Sequence, residues 1–141
     1  MPQKPDRAKD GAAEAAERRP EVVLDVIFEE GLLFVAVSNI GAAPAFRVSC
    51  EFSSRLRGLG GERDVSELPL FRNIGFLAPG REIRTLLDSS AAYFARDEPT
   101  KVSVTTTYSD SAGRSFETPV EHDLAIYREL AYVPKEVQRD A

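Results

Sequence analysis

Apolar and polar residues alternate with a period of two through most of this chain, and this pattern restricts the chain to β structure. The clearest example lies between residues 45 and 53. Its expected core-facing residues are Phe46, Val48, Cys50 and Phe52, and its expected solvent-facing residues are Arg47, Ser49, Glu51 and Ser53. Successive side chains of a strand point to opposite faces of the sheet. The segment therefore predicts an antiparallel strand with one face in the core and one in water.

Similar runs, separated by turn residues, predict about seven strands. Besides the segment just described, the runs cover residues 24–29, 32–38, 70–77, 83–88, 101–109 and 115–124. Leu24 and Val26 of the first run, and Val102 and Val104 of the run over 101–109, are expected to face the core. The only predicted helix is a short turn over Ala91 to Ala95, capped by Ser89 or Ser90. Many short strands without a long amphipathic helix are typical of a β-sandwich. We therefore predict an all-β, immunoglobulin-like antiparallel sandwich over residues 21–130.

Both ends of the chain are expected to lie outside this sandwich. Residues 1–20 have no large apolar side chain after Met1, and such a composition predicts a disordered tail. A partner-recognition helix over Ala12 to Arg19 is the alternative. Residues 131–141 predict a polar C-terminal tail.

Charge and cysteine content exclude several classes of function. The chain has 18 Lys and Arg against 23 Asp and Glu, a net charge of −5, which disfavours general binding to nucleic acid. No apolar run is long enough for membrane insertion, and no signal peptide precedes the strands. As written the chain is expected to be cytoplasmic, or extracytoplasmic if it is a fragment. Cys50 is the single cysteine and is expected to be a small core side chain.

No constellation of residues predicts catalysis or a cofactor. His122 is the only histidine, and its neighbour Asp123 points to the opposite face of the strand, so Asp123 cannot orient the imidazole. We expect a half-buried structural histidine. One Cys and one His cannot supply the usual zinc ligands. The glycines between residues 58 and 61 lack the Lys-Ser/Thr ending of a phosphate-binding loop. The sequence therefore predicts no enzyme, no metal site and no cofactor. Calcium bound by carboxylates of Asp97 and Glu98 near Asp110 is the alternative.

Binding is the remaining class of function, and the sequence offers two kinds of surface for it. The first is a long irregular loop over residues 55–69, with Arg55, Arg57, Arg63 and Glu67 as candidate partner-binding residues. The second is an edge of the sheet. A non-catalytic module that binds another protein is the leading prediction. The alternatives are a carbohydrate- or surface-binding accessory domain that stacks sugars on Tyr93, Phe94 or Tyr127, and a structural subunit of a larger assembly, including a homo-oligomer.

Three segments occur in an order that carries a family resemblance. They are VAVSNIGAAPAFRVSCEF (35–52), FLAPGREI (76–83) and VTTTYSDSAGRSF (104–116). Together they resemble the bacterial cell-adhesion-related (CARDB-like) domains of the immunoglobulin and fibronectin type III class, over roughly residues 20–130. The resemblance implies a β-sandwich that serves as an accessory or adhesive module without catalytic residues. Domains of that class are usually extracellular, whereas this chain shows no export signal.

Overall fold

A computed structural model describes residues 18–130. Residues 1–17 of the tail predicted over residues 1–20, and the whole tail predicted over residues 131–141, lie outside the described residues. Nine strands form within the described part of the chain. They are β1 (Val22–Glu29), β2 (Leu32–Asn39), β3 (Ala45–Phe52), β4 (Arg57–Gly58), β5 (Arg63–Asp64), β6 (Ile74–Leu77), β7 (Glu82–Ser89), β8 (Lys101–Ser109) and β9 (Ser115–Asp123).

Seven of these strands build two antiparallel sheets that face each other. One sheet has the order β1-β2-β7 and the other has the order β6-β3-β8-β9. The two short strands, β4 and β5, pair only with each other. The predicted immunoglobulin-like sandwich is therefore confirmed.

The core lies between the two sheets and follows the predicted alternation in most strands. Leu24 and Val26 of β1 are no more than 3% exposed, and Val102 and Val104 of β8 no more than 2%. Strand β2 is the central strand of its sheet, and its inner and outer faces both carry buried apolar residues. Burial of aliphatic side chains between the sheets is the main stabilising contribution to such a fold.

A short helix closes one end of the sandwich. Helix α1 (Ser90–Ala95) begins after Ser89, whose hydroxyl accepts a hydrogen bond from the Ala92 N–H at 3.1 Å. This confirms the predicted helix and its cap. The helix places Tyr93 in the core with no exposed surface, where its hydroxyl donates to the carbonyl of Pro99.

The predicted inward position of Phe46 is wrong, because a β-bulge at Arg47 changes the alternation. Arg47 has a φ of 52°, and the register of β3 with β8 shifts between Phe46 and Ser49. Ala45 and Val48 are the buried residues on either side of the bulge. Phe46 consequently lies on the outer face, where its ring meets that of Phe76 edge-on at 5.4 Å. A bulge inserts one extra residue and so shifts every later side chain of the strand by one position.

The strand predicted over residues 70–77 is also only half correct. A 3₁₀ turn occupies Pro69–Phe71, and β6 begins at Ile74. Proline starts such a turn readily because its φ is fixed and its missing N–H is not needed there. The turn directs Phe71 into the core, where it packs edge-on against Phe52 at 5.1 Å.

The sandwich starts slightly earlier than residue 21. Pro20 is buried, and the carbonyl of Arg19 accepts a hydrogen bond from the Ala42 N–H at 3.0 Å. Gly41 is required by this contact, since a Cβ there would lie 2.4 Å from the Arg19 carbonyl oxygen. Pro20 is thus part of the packed chain and not of the tail.

The turn between β8 and β9 is held by Asp110. Its carboxylate accepts hydrogen bonds from the N–H groups of Ala112 and Arg114 at 3.0 and 2.8 Å, and from Arg114 Nε at 2.7 Å. Burial alone raises the pKa of Asp110, but the hydrogen bonds and charge of Arg114 outweigh it and hold the pKa below its usual value of 3.8.

We expect the domain to lose stability as pH falls below about 4, because the unfolded state then binds protons that the folded carboxylate resists. The pKa of Asp110 is lower in the folded than in the unfolded state, so its contribution is present above the unfolded value and lost as pH falls through the folded value. Thermal unfolding of wild type, Asp110→Asn and the exposed control Asp97→Asn between pH 3 and 7 measures this. Asp110→Asn should reduce the acid-induced fall in Tm. An equal fall in all three proteins would contradict this role.

Candidate functional site

The segment predicted as an irregular loop over residues 55–69 is instead folded against the sandwich. Strands β4 and β5 pair within it, and Leu56 and Val65 are buried in the core. Gly58 packs against β7 so closely that a Cβ would lie 1.8 Å from the carbonyl oxygen of Leu87. The predicted irregularity is therefore wrong, because two apolar residues and one glycine tie the segment to the core.

The four candidate residues of this segment do not converge on one site. Arg55 lies 3.7 Å from Asp64, and Glu67 lies 2.7 Å from Arg72, in exposed ion pairs. Arg55 and Glu67 line one shallow groove together. The remaining two residues lie outside this groove: Arg57 Nε is 3.4 Å from the buried carboxylate of Glu98, and Arg63 is exposed.

Arg96 clamps this hairpin to the rest of the domain. Its guanidinium lies 2.8 Å from the carboxylate of Asp88 and 3.0 Å from that of Glu98, and it donates to the carbonyl of Arg57 at 3.0 Å. Asp88 also accepts a hydrogen bond from the Gly60 N–H at 3.1 Å. This network holds the turn of the hairpin and is structural.

The residues weighed for catalysis have structural positions. His122 is half-buried, and its Nε2 lies 2.8 Å from the carbonyl oxygen of Leu24, as expected of a structural histidine. Cys50 packs against the core as predicted, and its Sγ lies 3.6 Å from the Thr106 hydroxyl. Burial raises the pKa of its thiol more than that hydroxyl lowers it. Within residues 18–130, no three Asp, Glu, His or Cys side chains lie close enough to hold a metal ion.

The aromatic residues considered for sugar stacking do not form an open platform. Tyr93 is fully buried, and the guanidinium of Arg128 lies over the Phe94 ring at 5.2 Å. Tyr127 stacks on Phe28 at 6.0 Å and donates its hydroxyl to the carbonyl of Val26 at 3.0 Å. The three rings thus serve packing.

Three of the four sheet edges carry features that hinder the addition of another strand. On β1, the carbonyl of Leu24 is engaged by His122 of β9, and that of Val26 by Tyr127 of the 3₁₀ turn that follows β9. On β7, the Leu59 N–H of the hairpin donates to the Leu87 carbonyl at 3.0 Å. On β9, Pro119 lies in the middle of the strand between charged residues. Covering, charge and proline are the usual devices against edge-to-edge pairing.

Strand β6 forms the fourth edge and has none of these features over Ile74, Gly75 and Phe76; within the described residues, only the carbonyl of Leu77, at its end, accepts a side-chain hydrogen bond, from Asn39. Its sequence, IGFL, contains no charge and no proline, and it pairs with β3 on one side only. Among residues 18–130, the N–H and C=O groups of Ile74, Gly75 and Phe76 make no backbone hydrogen bond outside the strand pairing. Phe76 is 53% exposed. The edge is therefore open and apolar.

Nothing in the structure of this strand requires a glycine at position 75. Its φ is not in the left-handed region, and a Cβ at this position would meet no atom within 4 Å. Glycine weakens a strand because it adds backbone entropy and buries no side chain, and it often marks a place where another backbone approaches closely. In the described part of the chain nothing approaches it.

Two adjoining depressions cross the outer face beside this edge. The first is lined by Phe46, Arg47, Gly75 and the turn at residues 110–113, and the second continues from Arg47 to Phe116 and Glu117. Arg47 lies in both. Sequence patterning did not find this site, because the bulge that brings Phe46 and Arg47 to it is formed by the pairing of β3 with β8. The one available signal was a glycine within an otherwise strand-like run.

The fold and these surfaces define the class of the molecule as an immunoglobulin-like β-sandwich with one open edge. The chain belongs to the family described as Domain of unknown function (DUF8453), whose family model matches residues 7–128. A search of curated proteins finds no match. No helix within residues 18–130 is both long and apolar enough to cross a membrane.

Proposed function

We propose that this domain is a non-catalytic interaction module that binds an extended segment of another protein along the open edge of β6. The observation that carries the proposal is Gly75, a glycine in an edge strand where neither backbone conformation nor packing requires one. Addition of a strand to a sheet edge uses main-chain hydrogen bonds for affinity and side-chain contacts for specificity.

The neighbouring residues support the same mode of binding. An incoming strand would find unprotected backbone groups on β6 and the exposed ring of Phe76 beside Phe46. Aromatic side chains are enriched at the centres of protein interfaces. The absence of charge in β6 removes the desolvation cost that charged edges impose. The resemblance to cell-adhesion-related domains agrees with a binding module. A relation to that class of domains is part of the proposal.

The substitution Gly75→Val tests the proposal because it separates folding from binding. Valine has a high strand propensity, so we expect the free energy of unfolding to stay unchanged or to rise by up to about 1 kcal/mol. The added methyl groups fill the open space where a Cβ would meet no atom within 4 Å, so a partner that packs closely against Gly75 should be lost. The measurement is affinity capture from a lysate of the source organism by wild type and Gly75→Val, with denaturant unfolding of both.

The matched control is Thr105→Val, which places the same side chain on the outer face of β8, in the same sheet but separated from β6 by β3. A partner retained by the control and lost with Gly75→Val supports binding at the edge. A partner retained by both variants contradicts it. Capture of a glycan-bearing ligand, or assembly of the chain with itself, would favour the accessory-domain or structural-subunit alternative.

A second surface for the same function is the β4–β5 hairpin. Leu59 at its turn is 43% exposed, so an apolar side chain projects from the hairpin. Its φ of 50° places its backbone in the strained left-handed region. The candidate residues Arg55, Arg57, Arg63 and Glu67 lie in this hairpin or next to it. Leu59→Gly relieves the backbone strain and removes the apolar side chain. Loss of a partner with Leu59→Gly but not with Gly75→Val would assign binding to the hairpin.

A further inference from the structure

We infer that Arg47 selects the partner, and that the segment bound along β6 carries an acidic side chain next to an apolar one. This inference rests on the proposed function. It adds the chemistry of the partner, which the open edge alone does not specify.

The backbone of Arg47 has an unfavourable left-handed conformation, and the bulge that it forms shapes the outer face of the sheet. A left-handed residue other than glycine costs about 1 kcal/mol. Among residues 18–130, Arg47 is the only such residue inside a strand, since Glu30 and Leu59 lie in turns. The bulge places Phe46 and Arg47 in the same depression as Gly75. Bulges often redirect side chains beside functional sites. The ring of Phe46, the guanidinium of Arg47 and the backbone of Gly75 thereby lie together at one edge of the sheet.

The charge of Arg47 is not compensated within residues 18–130. It takes part in none of the ion pairs described there, and this includes Glu117, which lines a depression together with Arg47 but forms no ion pair with it. Asp110 lines the same depression, but its carboxylate is already engaged by Arg114 and by two backbone N–H groups. A carboxylate arriving from outside is therefore the matching group for Arg47, and arginine binds carboxylates with good geometry.

A second copy of this chain does not supply that carboxylate through its own β6. Ile74–Leu77 contains no charge, and the nearest charged residues before and after it are Arg72 and Arg81. Pairing of two β6 edges would therefore bring no carboxylate of Ile74–Leu77 to Arg47. The charge pattern favours an acidic segment from a different protein.

The experiment is selection of random short peptides, displayed on phage, against the full chain. Wild type should enrich peptides in which Asp or Glu lies one or two positions from an aromatic or β-branched residue. For a synthetic peptide from that selection, Arg47→Glu should weaken binding at least about tenfold, equivalent to about 1.4 kcal/mol. Replacing the acidic residue of the peptide by Lys should weaken binding to wild type and restore binding to Arg47→Glu. Such a reciprocal exchange measures the pairwise contact itself.

A second variant, Arg47→Gly, distinguishes loss of binding from misfolding, because glycine relieves the left-handed strain while removing the cation. It should unfold at the same or a higher denaturant concentration than wild type and bind the acidic peptide at least about tenfold more weakly. If the Lys peptide gains nothing on Arg47→Glu, the inference is wrong even where Gly75→Val abolishes binding. If the charge exchange works but Gly75→Val binds normally, the edge mode is wrong. Failure to enrich any peptide, or a wild-type dimer in sedimentation that Gly75→Val dissociates, overturns the acidic partner.

Discussion

Asn39→Ala is expected to lower the free energy of unfolding by about 3 kcal/mol, because it leaves several buried backbone groups without partners. Asn39 is 1% exposed. Its Nδ2 donates to the carbonyls of Ala43 and Leu77 at 2.9 and 3.0 Å, and its Oδ1 accepts from the N–H groups of Gly41 and Glu21 at 3.0 and 3.2 Å. One side chain thus joins the start of β1, the turn after β2 and the end of β6.

Denaturant unfolding of Asn39→Ala, Asn39→Asp and the exposed control Asn73→Ala measures this effect. Asn39→Asp should be at least as damaging as Asn39→Ala, because a carboxylate oxygen would then face the carbonyls of Ala43 and Leu77 without a donor. Asn73→Ala should stay within about 0.5 kcal/mol of wild type. A loss below about 1 kcal/mol for Asn39→Ala would show that water replaces these bonds.

Arg96→Met is expected to destabilise the domain by about 3 kcal/mol, since it leaves two buried carboxylates beside an apolar side chain. The side chains of Asp88 and Glu98 are 7% and 3% exposed, and that of Arg96 is 23% exposed. Burial raises the pKa of Asp88, but hydrogen bonds from Arg96, Gly60 and Ser89 outweigh it and keep the pKa below its usual range. The charged form is thus the one that the fold stabilises.

Loss of Arg96 should also release the β4–β5 hairpin, because the guanidinium holds the carbonyl of Arg57. Hydrogen exchange at the Leu59 and Gly60 amides should accelerate more than exchange in β2. The matched control is Arg63→Ala, which removes an exposed arginine of the same hairpin and should leave stability nearly unchanged. Uniform acceleration across the domain would mean that Arg96 contributes to global stability alone.

The sequence predicted those features that depend on neighbours along the chain. The period-two runs of β1 and β8 gave the correct inward residues, because strand geometry fixes that relation locally. The short helix and its Ser89 cap were predictable for the same reason. The half-buried position of His122 also followed from its place between Val120 and Leu124.

Features that arise between strands were predicted wrongly or missed. Pairing of β3 with β8 creates the bulge at Arg47, which turns Phe46 outward, and no local pattern indicates it. The sequence pattern placed Leu56 and Val65 in a loop, whereas the structure buries both side chains in the core.

The sequence by itself determined that this chain forms a β-sandwich, because alternation and turn chemistry are local properties. Only the tertiary structure decided which edge stays open. Three edges are covered or blocked by His122, Tyr127, the β4–β5 hairpin and Pro119, and most of these contacts join residues far apart in sequence. The role proposed for Gly75 has the same origin, because only its spatial neighbours show whether packing requires a glycine at that position.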